Sequence, residues 1–275
     1  MRGDFHSHTS YSDGFYTPEV VVKRAKEHGL DVLGLTDHDS VFGVDEAFEE
    51  GKKIGLYVVK GLELSTTIGK DNCHLIGYFK HNIVPKEMYD FSKSIIDSRK
   101  KRATTMMNNI ASTFNVKIDL DDLLSGTIIT RGNMHSNLIK NNPDKDIKEL
   151  SFMVSNDSPC YIPASKMSAI DGVKLLKSFG ATIILAHPTL MDYENVKEVV
   201  KMGIDGLECI YPKNKEGEED KFRKLAKENN LFVSAGSDFH GDFIKHAELG
   251  TCYLEDKELK TILDKLEIEV PYENN

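Results

Sequence analysis

Imidazoles and carboxylates hold divalent ions, and this chain places them in short, separated clusters. The first is Asp4-Phe5-His6-Ser7-His8, followed by Asp13-Gly14. If Arg2–His8 is a strand, side chains two apart share a face, so His6 and His8 point the same way and can grip one cation. Later clusters are Asp37-His38-Asp39, Glu63, His74, His187 and Asp238-Phe239-His240. Singly, each has an ordinary explanation. His74 can be a hydrogen-bonded core histidine, and Glu63 can pair with Lys60 or Arg2. Together they are nine: His6, His8, Asp13, His38, Glu63, His74, His187, Asp238 and His240. Burying so many ionisable groups without a counter-ion is costly through desolvation and mutual repulsion. Nine donors exceed the needs of one ion, so two or three ions sharing carboxylates fit the count. Nitrogen and oxygen donors without thiolate suit Mn, Fe or Zn better than Ca or copper(I).

Most of these residues stand at the ends of apolar runs that read as strands. Thr17-Pro18-Glu19 supplies an N-cap, a first helical residue and an acidic first turn for a helix ending at His28-Gly29. Asp31–Thr36 reads as a strand delivering His38, Val44–Ile54 as a helix, Leu56–Leu62 as a strand ending in Glu63-Leu64-Ser65, and Cys73–Phe79 as a strand beginning with His74. This β-α rhythm predicts a mostly parallel sheet or barrel, with chemistry at the C-terminal ends of its strands. From about Val84 to Lys166 the rhythm stops. A long helix over Pro85–Phe114, shorter helical pieces after Asp119 and after Ile129, and a loop-rich stretch over Asn141–Pro163 predict a mainly helical insertion. The rhythm resumes with a helix over Ser168–Phe179, strands at Ala181–Ala186, Gly206–Ile210 and Phe232–Gly236, an edge strand within Leu249–Leu254 and a last helix over Asp256–Leu266.

The composition is that of a globular protein, with 40% hydrophobic and 29% charged residues in 275. A formal charge of -9 argues against a general duplex-DNA binder. No apolar run approaches a membrane span and no signal-peptide pattern is visible. Four cysteines without a C-x-x-C pair suggest reduced thiols of a cytoplasmic protein. The oligomeric state is not legible.

Asp4–Thr9, Leu35–Asp39, Gly61–Glu63, Ala186–Pro188 and Gly236–Gly241 together resemble the motifs of the polymerase and histidinol phosphatase (PHP) domain, over most of the chain. Within that family the sequence is most similar to small bacterial phosphoesterases that act on nucleoside 3′,5′-bisphosphates and short RNA 5′ ends, through Ser12-Asp13-Gly14 and Arg131-x-x-x-His135. The resemblance implies a distorted (β/α)7 TIM-like barrel over 1–83 and 167–275, with the helical insertion at 84–166, and a trinuclear centre. His6, His8, Glu63 and Asp238 would hold one ion, Asp13, His38 and His240 a second, and His74, His187 and Glu63 a third. The activity implied is hydrolysis of a phosphate monoester by metal-activated hydroxide.

Arg131 and His135 are then the candidates for phosphate contact and catalysis, His135 as proton donor to the leaving oxygen. Arg99 and Arg102, three apart on one helix face, are candidates for a second phosphate or the nucleotide. Asp37 and Asp39 flank His38 and can orient it, and Asp39 is also a candidate substrate contact. Met134 departs from the pattern, since close relatives have Pro before that His. Alternatives are a histidinol-phosphate phosphatase, a non-catalytic metal-binding module and an amidohydrolase-type enzyme, the last disfavoured by a Glu where such sites bridge ions with a modified Lys.

Overall fold

A computed structural model describes residues 1–125, 129–163, 167–242 and 247–270. The chain divides into two compact units, Met1–Asp90 with Lys166–Asn275, and Phe91–Ser165. The expected end of the insertion, Lys166, lies outside the described residues.

The first unit begins β1 (Arg2–Asp4), α1 (Pro18–Glu27), β2 (Val32–Leu35), α2 (Val44–Ile54), β3 (Tyr57–Ile68) and β4 (Asp71–Phe79). The long helix α3 (Lys86–Phe114) leads into the second unit, which continues with α4 (Leu120–Leu124), α5 (Arg131–Asn141) and α6 (Ile147–Met153). The first unit resumes with β5 (Met167–Ser168), α7 (Ala169–Ser178), β6 (Ala181–Leu185), α8 (Tyr193–Lys201), β7 (Gly206–Ile210), α9 (Glu218–Glu228), β8 (Phe232–Ala235), β9 (Leu254–Glu255) and α10 (Asp256–Leu266).

The sheet runs β8-β7-β6-β4-β3-β2-β1-β9, and β5 pairs with β3 off that path. Its two sides meet just beyond β1, where the Phe5 N–H donates to the Ala235 carbonyl at 2.9 Å and the His8 N–H to that of Phe239 at 2.9 Å. A nearly closed barrel results, made of β1–β4 and β6–β8. Phe5, Val59, Ile76, Tyr78, Ile184 and Ala235 belong to the hydrophobic cluster of this unit. The Tyr78 hydroxyl, buried among them, donates to the Phe5 carbonyl at 2.6 Å, which satisfies an otherwise orphaned polar group.

Three sequence expectations need correction. The sheet is mostly parallel, but β4, expected to continue the β-α rhythm, runs antiparallel to both β3 and β6. β3 does not end in Glu63-Leu64-Ser65. It continues to Ile68, since a tight hairpin turn lets its far half pair with β4 from Glu63↔Ile76 out to Ile68↔Asp71. Of Leu249–Leu254 only Leu254 is strand, in the two-residue β9 (Leu254–Glu255), antiparallel to β1.

The second unit has a core of its own, including Met106, Met107, Ile110, Met134, Leu138, Leu150 and Met153. Here the loop-rich reading of Asn141–Pro163 fails at α6. Asp146 caps that helix by accepting from the Lys148 N–H at 2.9 Å, and Leu150 and Met153 bury its apolar side. Seven residues with two apolar anchors are too few for helical periodicity to stand out. Helix α5 is capped by Thr130 in a reciprocal box with Asn133.

Candidate metal centre

Six of the seven barrel strands bring an ionisable side chain to one rim. His6 and His8 follow β1, His38 follows β2, Glu63 lies in β3, His187 follows β6, and Asp238 and His240 follow β8. His74 lies near the start of β4. Because that strand is reversed, its beginning reaches the same rim as its neighbours' C-terminal ends. Asp13 arrives on the loop after β1, which Asp37 ties down. Asp37 accepts from the Thr9 N–H and hydroxyl, both at 2.7 Å, and from the Ser12 hydroxyl at 2.5 Å. Asp37 therefore braces the loop carrying Asp13 and does not orient His38. Asp39 accepts from the Ser65 N–H at 2.7 Å.

Glu63 sits at the centre. Its Oε2 lies 3.4 Å from His6 Nε2, 3.3 Å from His8 Nε2 and 3.0 Å from His38 Nδ1. Its Oε1 lies 2.9 Å from His74 Nδ1 and 2.8 Å from His187 Nε2. Asp238 Oδ1 is 3.5 Å from His6 Nε2, 3.3 Å from His8 Nε2 and 3.5 Å from His240 Nδ1. Asp13 reaches His240 Nε2 at 3.2 Å, His38 Nε2 at 3.8 Å and His8 Nδ1 at 3.9 Å. The nine residues read from the sequence thus lie together. Lys60 and Arg2, the simpler partners for Glu63, are engaged with Asp45 at 2.5 Å and the Gly250 carbonyl at 3.1 Å.

The decisive feature is what these atoms lack. His6 Nε2, both ring nitrogens of His8, His38 Nδ1, His187 Nδ1 and Glu63 Oε2 are buried and make no hydrogen bond. Buried polar atoms are ordinarily paired. Donors bound at about 2.1 Å to a shared ion sit about 3.0–3.4 Å apart in octahedral or tetrahedral geometry. Several separations around Glu63 and Asp238 fall in that range. Four overlapping groups are close enough to share an ion: His8, Asp13, His38 and His240; His6, His8 and Asp238; His6, Glu63 and His187; and His38, Glu63 and His74. Side-chain exposures of 38% for Asp13, 18% for His38 and 22% for His74, against 0% for His6 and His8, put the open side of the cluster at the former three.

The electrostatics are those of a charge-paired nest. Burial works against the charges of Glu63, Asp13 and Asp238, yet the surrounding imidazoles hold all three carboxyls below the ordinary range. Burial likewise opposes the His8 imidazolium, but Asp238 and Glu63 hold its pKa up at about 10. His6 and His38 are raised against burial in the same way, while at His74 burial prevails and its pKa falls. Burial and the Asp238 charge keep the Tyr211 phenol protonated, and it donates to Asp238 Oδ2 at 2.9 Å. Backbone strain gathers here too. Asp39, His187 and Asp238 have φ of 53°, 26° and 53°.

Two buried carboxylates have partners that the sequence reading did not assign. Asp4 accepts from the backbone N–H groups of His6 at 3.3 Å, Ser237 at 3.0 Å and Gly250 at 2.9 Å. Glu208, fully buried in β7, lies 3.0 Å from His6 Nδ1 and accepts the His187 N–H at 2.6 Å. The signal for Glu208 was present, as a single acidic residue inside the apolar strand Gly206–Ile210. Gly236 lies against it, and a Cβ there would come within 2.8 Å of Glu208 Oε1.

The remaining site candidates belong to the second unit. Arg131 is exposed and donates to Asn156 Oδ1 at 2.6 Å. His135 Nε2 lies 2.9 Å from the Ser151 hydroxyl. Arg102 donates to the Ile162 carbonyl at 2.7 Å, and Arg99 is half-buried on the same helix.

The PHP domain model matches residues 4–159. The chain belongs to the PHP domain family. Among its relatives are a phosphoribosyl 1,2-cyclic phosphate 1,2-diphosphodiesterase of Eggerthella lenta, 25% identical over 91% of this chain and 98% of the relative. The 5′-3′ exoribonuclease Rnm of Escherichia coli is 26% identical over 86% of this chain and 84% of its own length. A 3′,5′-nucleoside bisphosphate phosphatase of Chromobacterium violaceum is 28% identical over 86% of each chain. A solved structure from Bifidobacterium adolescentis, inferred to be a metal-dependent phosphoesterase, superposes with a TM-score of 0.79 at 25% identity, covering 98% of this chain and 97% of its own. The PHP chain also carries free, buried thiols at Cys73, Cys160, Cys209 and Cys252. Among the described residues, no helix is long and apolar enough to cross a membrane.

Proposed function

We propose that this PHP-family, metal-dependent phosphoesterase hydrolyses a phosphate monoester of a nucleotide, a nucleoside 3′,5′-bisphosphate or the 5′ end of a short RNA. The observation that carries the reading is the convergence of nine imidazole and carboxyl side chains around Glu63, with buried donor atoms that no protein group satisfies. The barrel unit is the metallophosphoesterase, and the segment between its two halves is an insertion subdomain. Three divalent ions of the Mn, Fe or Zn kind fit the donor set. His6, His8, Glu63 and Asp238 would hold one, Asp13, His38 and His240 a second, and His74, His187 and Glu63 a third. When bound, the ions supply Lewis acidity, lowering the pKa of water and offsetting phosphoryl charge.

The chain's own groups do the rest. Asp13, His38 and His74 border the open side, where substrate enters. Arg131 contacts phosphate oxygens as an always-charged donor, and His135 delivers a proton to the leaving oxygen. Arg99, Arg102 and Asp39 contribute further substrate contacts. Relatives that act on a nucleoside bisphosphate and on RNA from its 5′ end support the substrate class. A second reading, a phosphodiesterase opening a cyclic phosphate on ribose, is favoured by the relative aligned over 98% of its length.

The test is product analysis, by inorganic phosphate release and by the mass of the remaining ester, of Mn2+-loaded protein acting on adenosine 3′,5′-bisphosphate, a 5′-phosphorylated short RNA, ribose 1,2-cyclic phosphate 5-phosphate and histidinol phosphate. Turnover of either nucleotide substrate, abolished in His8→Ala, is the expected result. Turnover confined to the cyclic phosphate or to histidinol phosphate overturns the substrate assignment, and undiminished activity in His8→Ala overturns the site.

A further inference from the structure

Glu208 has no exposed surface and holds two ligand-bearing elements at once. One oxygen faces the ring of His6, and the other faces the backbone of His187. We propose that Glu208 is a positioning residue of the metal centre, setting the His6 tautomer and pinning the strained turn that presents His187. The inference rests on the reading that the cluster holds divalent ions.

The chemistry of the donors dictates the first half. An ionised carboxylate only accepts hydrogen bonds, so His6 Nδ1, 3.0 Å from Glu208 Oε1, carries the ring proton. In the neutral ring the lone pair of His6 is then on Nε2, the nitrogen that faces Glu63 at 3.4 Å and Asp238 at 3.5 Å without a hydrogen bond. A carboxylate behind a ligating imidazole both fixes the ring and raises its basicity. Without that acceptor the two tautomers compete, and the wrong one aims a proton at the ion site.

Backbone geometry dictates the second half. His187 has φ 26° and ψ 61°, a conformation that surrounding structure must enforce. Its N–H, donating at 2.6 Å to Glu208 Oε2, is the anchor on the main-chain side. The imidazole so presented places Nε2 2.8 Å from Glu63 Oε1. Strand β7 thereby contributes to the centre without touching an ion.

A glutamine at this position cannot serve both partners. It has nearly the same shape but one acceptor oxygen and one amide donor. If the oxygen keeps the His187 N–H, the amide faces His6 Nδ1, the ring proton moves to Nε2 and the lone pair leaves the cluster. If the oxygen keeps His6, the amide opposes the His187 N–H.

The experiment titrates metal-stripped wild-type and Glu208→Gln protein with Mn2+, reading free ion by electron paramagnetic resonance. Long-range 15N–1H correlation of the Zn2+-loaded wild type reads the His6 tautomer independently of any variant. The expected result is about 10- to 100-fold weaker Mn2+ binding in Glu208→Gln, with wild-type His6 protonated at Nδ1. Wild-type His6 protonated at Nε2, or Glu208→Gln binding Mn2+ within twofold of wild type, overturns the inference and leaves the metal centre standing. A wild type that takes up no Mn2+ overturns the metal centre itself, and this inference with it.

Discussion

The two units carry their polar residues in opposite conditions. At the barrel rim, His6, His8, His38, His187 and Glu63 are buried or nearly so, and each has a donor or acceptor atom left without a hydrogen bond. In the second unit, Arg131, His135 and Arg102 are partly or fully exposed and already engaged, with Asn156, Ser151 and the Ile162 carbonyl. Unsatisfied burial is expensive, so the first arrangement demands an occupant. The second is content in water, and only a substrate gives it a task. The barrel's donors are therefore identifiable from geometry alone, whereas geometry does not set the arginines apart from other surface residues.

Substitution probes this contrast most severely at Glu63. Glu63→Ala is expected to lower kcat/KM by at least about 10⁴-fold, with loss of bound ions measured by elemental analysis. Retention of full metal content would erase the distinction between the units. Asp4→Ala leaves three backbone N–H groups, two of them buried, without their acceptor and is expected to cost about 3 kcal/mol in urea unfolding. A loss near zero would show that the rim is not held from beneath. Arg131→Ala and His135→Ala are each expected to reduce kcat/KM by about 10²-fold while ion content stays at wild-type level. Loss of ions in either variant would move these residues into the first class.

The smallest effect is the pH response of chelator-stripped protein. Carboxyls held below their ordinary values, 4.5 for Glu63 and 3.8 for Asp13 and Asp238, contribute stability present above those values and lost as pH falls below them. Imidazoles held above 6.5 contribute stability present below 6.5 and lost as pH rises, through about 10 for His8. Stripped protein is therefore expected to melt highest between about pH 4.5 and 6.5 and to lose a few degrees by pH 9. Ion affinity should rise over the same upward range, because binding displaces the ring protons. A melting temperature flat from pH 6.5 to 9 would show that the rim imidazoles are not coupled to their carboxylates.

Much of the barrel was legible because its strands are short apolar runs that end in residues of the wrong polarity for a core. His38, His187 and Asp238 announced themselves in that way. Glu208 and Asp4 did not, since each was read as part of its strand and, apart from the His6 N–H next to Asp4, their partners lie far away in sequence. The reversal of β4 was also hidden. A helix and a hairpin turn can both join two apolar runs, and the turn at Gly69 was passed over in the β-α rhythm. Helix α6 was missed because its evidence was an N-cap and two anchors, too little to rise above the polar residues around it.

The β3–β4 hairpin also divides the centre by history. Glu63 and His74 are eleven residues apart and become neighbours as soon as the hairpin zips. His6 and Glu208 are separated by 202 residues, and His187 and Glu63 by 124. Those pairs form only when the ring of strands joins, the slower kind of event. Capture of an ion by the complete donor set is thus a gauge of closure, and its release is an early sign that the seam between Phe5 and Ala235 has parted.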